Sequence, residues 1–286
     1  MSYLDHIKKC NTFTPQNYIP FMVGEEQLGW LQKDFSRHLL EDNDVFIQTS
    51  NEICINSSLE SPDARSQACK PILEKLYKEG VIDSWVDELY SATQSYGETP
   101  RFLIERAAVT FFGLRGYGVH INGLVKKSDG IYIWVARRAK DKPFWPGKLD
   151  QMVAGGQPFG IGRMENVIKE SAEEANVPPE VASKAEFVSE IHYRGETHRG
   201  MNVDTLFNYD LWLDESFIPE NTDGEVDEFL LMSLQELAEL TDTTDEFKDN
   251  CNLVNIDLLL RKGLITNNHP DYYSIKDKLY TPLMSS

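Results

Sequence analysis

GGQPFGIGRMENVIKESAEEANV, residues 155–177, sets a glycine-rich turn directly before a stretch with helical spacing that carries Glu170, Glu173 and Glu174. At about 100° per residue the three carboxylates fall within an arc of about 100°, and Met164, Val167, Ile168, Ser171, Ala172 and Ala175 gather opposite. The spacing predicts a helix that buries one face and offers three acids on the other, a divalent-metal site in outline. Asn176-Val177-Pro178-Pro179 should end it, because proline lacks the amide proton that continues the hydrogen-bond ladder.

Outward from this segment the texture changes by stages. Upstream, residues 119–126 and 131–136 flank the turn Ser128-Asp129-Gly130 and predict a hairpin. A Pro/Gly-rich stretch, 142–148, leads into Met152-Val153-Ala154 and the glycine turn. Downstream, 186–192, 204–213 and 224–232 read as strands, 234–240 and 252–262 as helices, and the tail from Asn267 as irregular. In the first hundred residues 45–48 and 52–55 read as short strands and 64–79 and 82–92 as helices; 102–112 reads as a buried helix or long strand. This order predicts an α/β fold with a mixed sheet flanked by helices. A smaller α/β domain over residues 1–112 precedes a larger one over 113–286.

The 286 residues, 41% hydrophobic and 11% aromatic, suffice for a substantial core. A formal net charge of -18 argues against nucleic acid or an anionic membrane as partner, since both require clustered Lys and Arg. A phosphorylated substrate would then need a few placed cations or metal ions. Cys10, Cys54, Cys69 and Cys251 lack C-x-x-C spacing, which argues against zinc or a disulfide framework and fits a reducing cytoplasm. With no secretory-type start and no apolar run of about 18 residues, neither secretion nor a membrane span is expected.

Diphosphate hydrolysis requires shielded phosphate oxygens, a positioned water and a stabilised leaving phosphate, and carboxylate-held divalent ions supply all three. A second acidic segment, NTDGEVDEFL at 221–230, offers Glu225 and Glu228 as a further metal ligand or general base. For substrate contact the candidates are Arg137 at the end of the second hairpin strand, Lys148 before the glycine turn and Trp145 as a flat stacking surface. His192 and Arg194, followed by His198 and Arg199, form a basic loop in an acidic chain.

The pattern G-x5-E-x7-R-E-U-x-E-E-x-G-U, with U aliphatic, is the signature of the Nudix hydrolases, and residues 155–177 resemble it in register. Ile161 replaces the first glutamate, Lys169 the arginine, Ser171 an aliphatic residue and Asn176 the glycine. Losing Glu at 161 and Arg at 169 together looks like loss of a supporting ion pair, since only Arg offers a rigid fork to a carboxylate. Asn176 is the next-best residue for a left-handed helix end.

The resemblance implies a Nudix-type αβα sandwich and a Mg²⁺ or Mn²⁺ site at Glu170, Glu173, Glu174 and Gly155. Catalytic roles would fall among Glu173, Glu174, Glu225 and Glu228. Residues 102–108, 118–123 and 145–158 further resemble the branch related to the Nudix portion of fungal thiamine pyrophosphokinase. That likeness implies a pyrophosphatase converting damaged thiamine diphosphates such as oxothiamine or oxythiamine diphosphate to monophosphates; a monomer or homodimer in the cytoplasm is expected. A Nudix hydrolase of nucleoside diphosphate derivatives and a catalytically silent Nudix-like binding module are the alternatives.

Overall fold

The computed structural model describes residues 1–142 and 144–281. Pro143 of the Pro/Gly-rich stretch and the end of the tail, 282–286, lie outside the described residues. In chain order the elements are α1 (Tyr3–Cys10), β1 (Tyr18–Val23), β2 (Glu26–Gln32), α2 (Lys33–Leu39), β3 (Phe46–Gln48), β4 (Ile53–Ile55), α3 (Pro62–Lys78), β5 (Leu89–Ala92) and β6 (Phe102–Glu105). There follow β7 (Arg115–Lys127), β8 (Gly130–Arg138), β9 (Leu149–Gln151), β10 (Val153–Gly156), α4 (Arg163–Ala175), α5 (Pro179–Ala182), β11 (Glu186–Glu196) and β12 (Met201–Leu213). The chain ends with β13 (Val226–Ser233), α6 (Leu234–Thr243), α7 (Asp249–Arg261) and α8 (Tyr272–Tyr280).

The larger sheet runs β11-β12-β7-β8-β13, with β12 parallel to β7 and the other neighbours antiparallel. β7 and β8 pair only near their shared turn, Gly123–Lys127 against Gly130–Trp134. Beyond it they diverge, and the short strands β9 and β10 fill the wedge, β9 on β8 and β10 on β7. This wedge positions the site, because it carries Gly155 and Gly156 into the middle of the sheet beside Val119 and Gly118. β7 is buried almost without alternation, as expected of a central strand covered on both faces. Val119, Ile121, Val153, Phe207 and Leu211 pack against Val167 and Ala175 of α4 on one side. On the other, Leu124, Ile133 and Leu206 pack against Ile7, Leu237, Val254, Leu258 and Ile275. The arrangement is an αβα sandwich.

The first helix belongs to this second layer. A capping box between Ser2 and Asp5 opens α1, and Tyr3, Ile7 and Cys10 are buried with α7. The Tyr3 hydroxyl donates to the Ala238 carbonyl at 3.1 Å. The chain then builds a separate core around Phe21, Phe46, Phe102 and Phe112, where Phe21 meets Phe112 edge-on at 5.1 Å between centroids. A four-stranded sheet, β2-β1-β4-β3, and α3 enclose this core, with the β5–β6 ribbon alongside.

Three expectations fail. Residues 82–92 are not a helix but an irregular segment and strand β5, which pairs with β6 from Leu89↔Glu105 to Ala92↔Phe102. Residues 102–112 form only the short strand β6 and one 3₁₀ turn at Arg106–Ala108. The tail from Asn267 contains α8, held by buried Ile275 and Leu279. In each case a contact distant in sequence outweighs the local pattern.

Candidate active site

α4 lies along β10 through an i, i+4, i+8 stripe. Asn166 Nδ2 donates to the Gly156 carbonyl at 2.7 Å. The Glu170 carboxyl lies directly against the Gly155 α-carbon, in the space that a β-carbon there would fill. Glu174 Oε2 accepts the Ala154 amide at 2.9 Å. The expected division into an apolar buried face and an acidic outer face is therefore wrong. Val167, Ser171 and Ala175 are buried as expected, but so are Asn166 and Glu174, while Met164 is exposed. The acids turn inward because glycine leaves room for a carboxyl and the strand end offers an amide. Asn166, four residues before Glu170 on the same stripe, is the one polar residue whose spacing marks this face in the sequence.

The electrostatics follow from this burial. Desolvation pushes the Glu174 carboxyl well above the ordinary carboxylate range against the pull of the Ala154 amide, and Asp150, Glu170 and Glu225 add repulsion. Burial also raises Glu170, and Lys169 partly offsets it. The Lys169 ammonium sits 3.1 Å from Glu170 and 2.7 Å from the exposed Glu173. The lysine in the arginine position thus pairs with helix acids, and Ile161 contributes its backbone carbonyl to Gln157 Nε2 at 2.8 Å. α4 ends at Asn176, left-handed at φ 52°, and both the Asn176 and Val177 amides reach the Ser171 carbonyl.

Glu225 and Glu228 separate. The 221–225 loop is tied to the C-terminal turn of α4 by Thr222, whose hydroxyl donates to the Glu173 carbonyl. Glu225 is close enough to raise Glu174 and pairs with Lys142 at 2.7 Å. Glu228 is cross-strand to Arg137 and bound to it at 2.7 Å. Arg137 also donates to the Gly147 carbonyl, Lys148 pairs with Asp245 at 3.4 Å, and Trp145 stands exposed at φ 53°. His192 and Arg194 lie on edge strand β11. His192 contacts Thr205 at 2.9 Å and Glu190 at 3.2 Å, and Arg194 stacks 4.0 Å over Phe13.

Arg106, which is not among the sequence-based candidates, stands nearer. Gly156 approaches the Tyr90 hydroxyl and the Arg106 guanidinium, with no room for a side chain. Arg106 is held by Glu88 at 2.8 Å, and its charge, opposed by burial, is supported by Tyr90, Glu88 and Glu170. Arg106 follows β6 directly, so only tertiary packing brings it to β10.

Among the described residues, one group of His, Cys, Asp and Glu has three ligand atoms within 4.8 Å of one another: His120, Asp150 and Cys251. It lies under α7, and its charge is already met. Asp150 binds Arg138 at 3.1 Å and Lys248 at 3.4 Å, which outweigh burial and hold its carboxyl down at about 2. Cys251 donates to Asp150 at 2.8 Å, and burial raises the thiol well above its ordinary range. This is a neutralised polar cluster that anchors α7.

Residues 2–116 match a domain of unknown function, DUF4743. Over 281 residues the chain is 37% identical to Nudix hydrolase 24, chloroplastic, of Arabidopsis thaliana, spanning 97% of this chain and 77% of that protein. The chain belongs to the Nudix hydrolases. Nudix hydrolase 20, chloroplastic, from the same plant is 35% identical over 288 residues, again 97% and 77% of the two chains. An uncharacterized protein of Saccharomyces cerevisiae is 37% identical over 239 residues, 77% of this chain and 69% of its own. As a Nudix hydrolase the protein is an enzyme that cleaves a phosphoanhydride. The cytoplasmic expectation is overturned by the Arabidopsis relatives, which are chloroplastic by name. No helix among the described residues is long and apolar enough to cross a membrane.

Proposed function

We propose that the enzyme removes the terminal phosphate from a heterocyclic diphosphate, the damaged thiamine diphosphates being the leading candidates, at a Mg²⁺ or Mn²⁺ site on α4. The observation that carries this reading is the pair of inward carboxylates: Glu170 in the cradle left by Gly155 and Glu174 on the Ala154 amide. Oxygen donors of this kind suit a hard divalent cation, and the two inward acids, which repel each other, are stabilised by one. Glu170 and Glu174, with the Gly155 carbonyl and Glu173, would hold the ion, which when bound neutralises phosphate charge and lowers the pKa of a bound water.

Around that centre the chain's own residues divide the work. Arg106, beside Gly156, is placed to take a phosphate oxygen. Glu225, tethered over the end of α4, accepts the proton of the attacking water; Glu228, bound to Arg137 on the neighbouring strand, serves the sheet edge instead. Water oxygen joins the terminal phosphorus, the bond from that phosphorus to the bridging oxygen breaks, and the monophosphate leaves with the electron pair. We place the division between the N-terminal unit and the Nudix domain near residue 112, with α1 returning to the Nudix helical layer.

Phosphate release from oxythiamine diphosphate in the presence of Mg²⁺ tests this reading. Glu174→Gln keeps an acceptor for the Ala154 amide but removes the charge, and should lose at least about 100-fold in kcat with an unchanged or higher Tm. Hydrolysis confined to nucleotide sugars or dinucleotides would replace the thiamine substrate with a nucleoside diphosphate derivative. No hydrolysis of any diphosphate would leave a binding module.

A further inference from the structure

A cavity of about 240 Å³ lies between the β5–β6 connection and the loop that follows β10, with Thr93, Tyr96, Tyr117, Gln157 and Phe159 in its walls. Backbone bonds fix the loop to both sides: the Gln157 amide donates to the Tyr117 carbonyl at 2.9 Å and the Phe159 amide to the Leu89 carbonyl at 2.8 Å. Gln157 follows immediately on Gly155 and Gly156, so the cavity and the carboxylate site share the end of β10.

Three polar atoms on residues of this lining are buried with no partner beyond the lining itself: Gln157 Oε1, and Thr93 Oγ1 and Tyr117 Oη, which lie close enough to pair with each other. Thr93 is 2% exposed and Gln157 4%. A buried polar atom costs about 1–3 kcal/mol when unmet, so a lining whose hydroxyls meet only each other and whose amide oxygen meets nothing is poor for folding and good for meeting a ligand. Their chemistry is specific. The Gln157 amide nitrogen is committed to Ile161, which leaves only the carbonyl oxygen, an acceptor. The Thr93 hydroxyl can donate to Tyr117, which leaves the Tyr117 hydroxyl as a donor, its phenol kept protonated by burial. Tyr96 and Phe159, 40% and 50% exposed, offer flat apolar faces at the rim. Tyr96 is itself braced edge-on by Tyr117 at 5.3 Å and Phe207 at 5.0 Å.

An acceptor beside a donor, with aromatic walls, matches the edge of a flat nitrogen heterocycle that presents an N–H next to a ring nitrogen or carbonyl. The volume lies below the roughly 300 Å³ at which whole-ligand pockets begin, so it suits one ring and not a nucleoside. We propose that this cavity seats the heterocyclic ring of the substrate, with Thr93, Tyr117 and Gln157 reading its polar edge. Half of the specificity pocket then comes from the N-terminal unit. The inference rests on the diphosphate reading only in placing the phosphates at the neighbouring carboxylates.

Thr93→Val and Tyr117→Phe, singly and together in the full chain, test it with two measurements. Calorimetry with oxythiamine, cytidine and uridine monophosphates reports binding without turnover; the ratio of kcat/KM for oxythiamine diphosphate over methyl diphosphate reports how much the ring contributes. Removing the hydroxyls, which meet only each other, should leave Tm little changed, weaken the tightest-binding monophosphate about tenfold per substitution and lower the kcat/KM ratio by a similar factor. Folded variants that bind every monophosphate as the parent does would mean that the atoms serve only water, and would overturn the proposal. If the parent hydrolyses no diphosphate, the hydrolase reading fails on its own, and the monophosphate titrations still decide the cavity.

Discussion

The carboxyl group of Glu170 occupies the place where any side chain on Gly155 would have to stand. A helix acid is thereby fixed against a strand backbone in the middle of a sheet. Gly155→Ala should push out the flexible end of Glu170 and leave the strand intact, so stability changes by about 1 kcal/mol or less while activity falls about 100-fold. A Mn²⁺ titration alongside the thermal melt separates the two. Equal metal affinity in parent and variant would remove Glu170 from the ligand set.

Asn176 shows what the departure from glycine costs. Its left-handed backbone closes α4 on the Ser171 carbonyl, and its side chain donates to Glu220 at 3.2 Å. Asn176→Ala keeps neither advantage and should destabilise by roughly 1–2 kcal/mol, with Asn176→Gly close to the parent in urea unfolding.

His120 is buried, and burial lowers its pKa to about 4 from the ordinary 6.5. The folded state refuses a proton that the unfolded chain accepts below 6.5, so the contribution is complete above that pH. It is lost as the pH falls toward 4, by roughly 3 kcal/mol at most. His6 and His192 are lowered in the same direction, and the raised Glu170 and Glu174 act oppositely. The comparison is therefore parent against His120→Gln: between pH 7 and 4 the parent should lose more stability. Parallel curves would show that His120 does not titrate in that window.

Asp210 joins β12 to the end of α7. Its buried carboxylate accepts Arg261 at 2.8 and 3.0 Å, Lys262 at 2.9 Å and Asn122 at 3.0 Å. Asp210→Asn leaves two cations facing an amide and should cost about 2–3 kcal/mol, less than the roughly 3–5 of a fully buried pair because Arg261 keeps Asp257 at 2.8 Å. The denaturant midpoint should drop without a change of slope if the fold stays cooperative.

Local sequence determined the elements that need no distant partner. The glycine turn, α4 and its stop at Asn176 are legible because backbone freedom, helical period and proline act over a few residues. The β7–β8 hairpin is legible for the same reason. Tertiary structure decided the rest. Residues 82–92 carry helical spacing in Ile82, Val86 and Leu89, but Leu89–Ala92 become β5 because β6, ten residues on, supplies a hydrogen-bonding edge. Glu170 and Glu174 look like a solvated face, and they turn inward only because β10, wedged between β7 and β8, presents a glycine and a free amide. Arg106 and Thr93 carry no readable signal of their own. Periodicity records which residues share a face, whereas which face is buried depends on what packs against it, and that is a property of the folded chain.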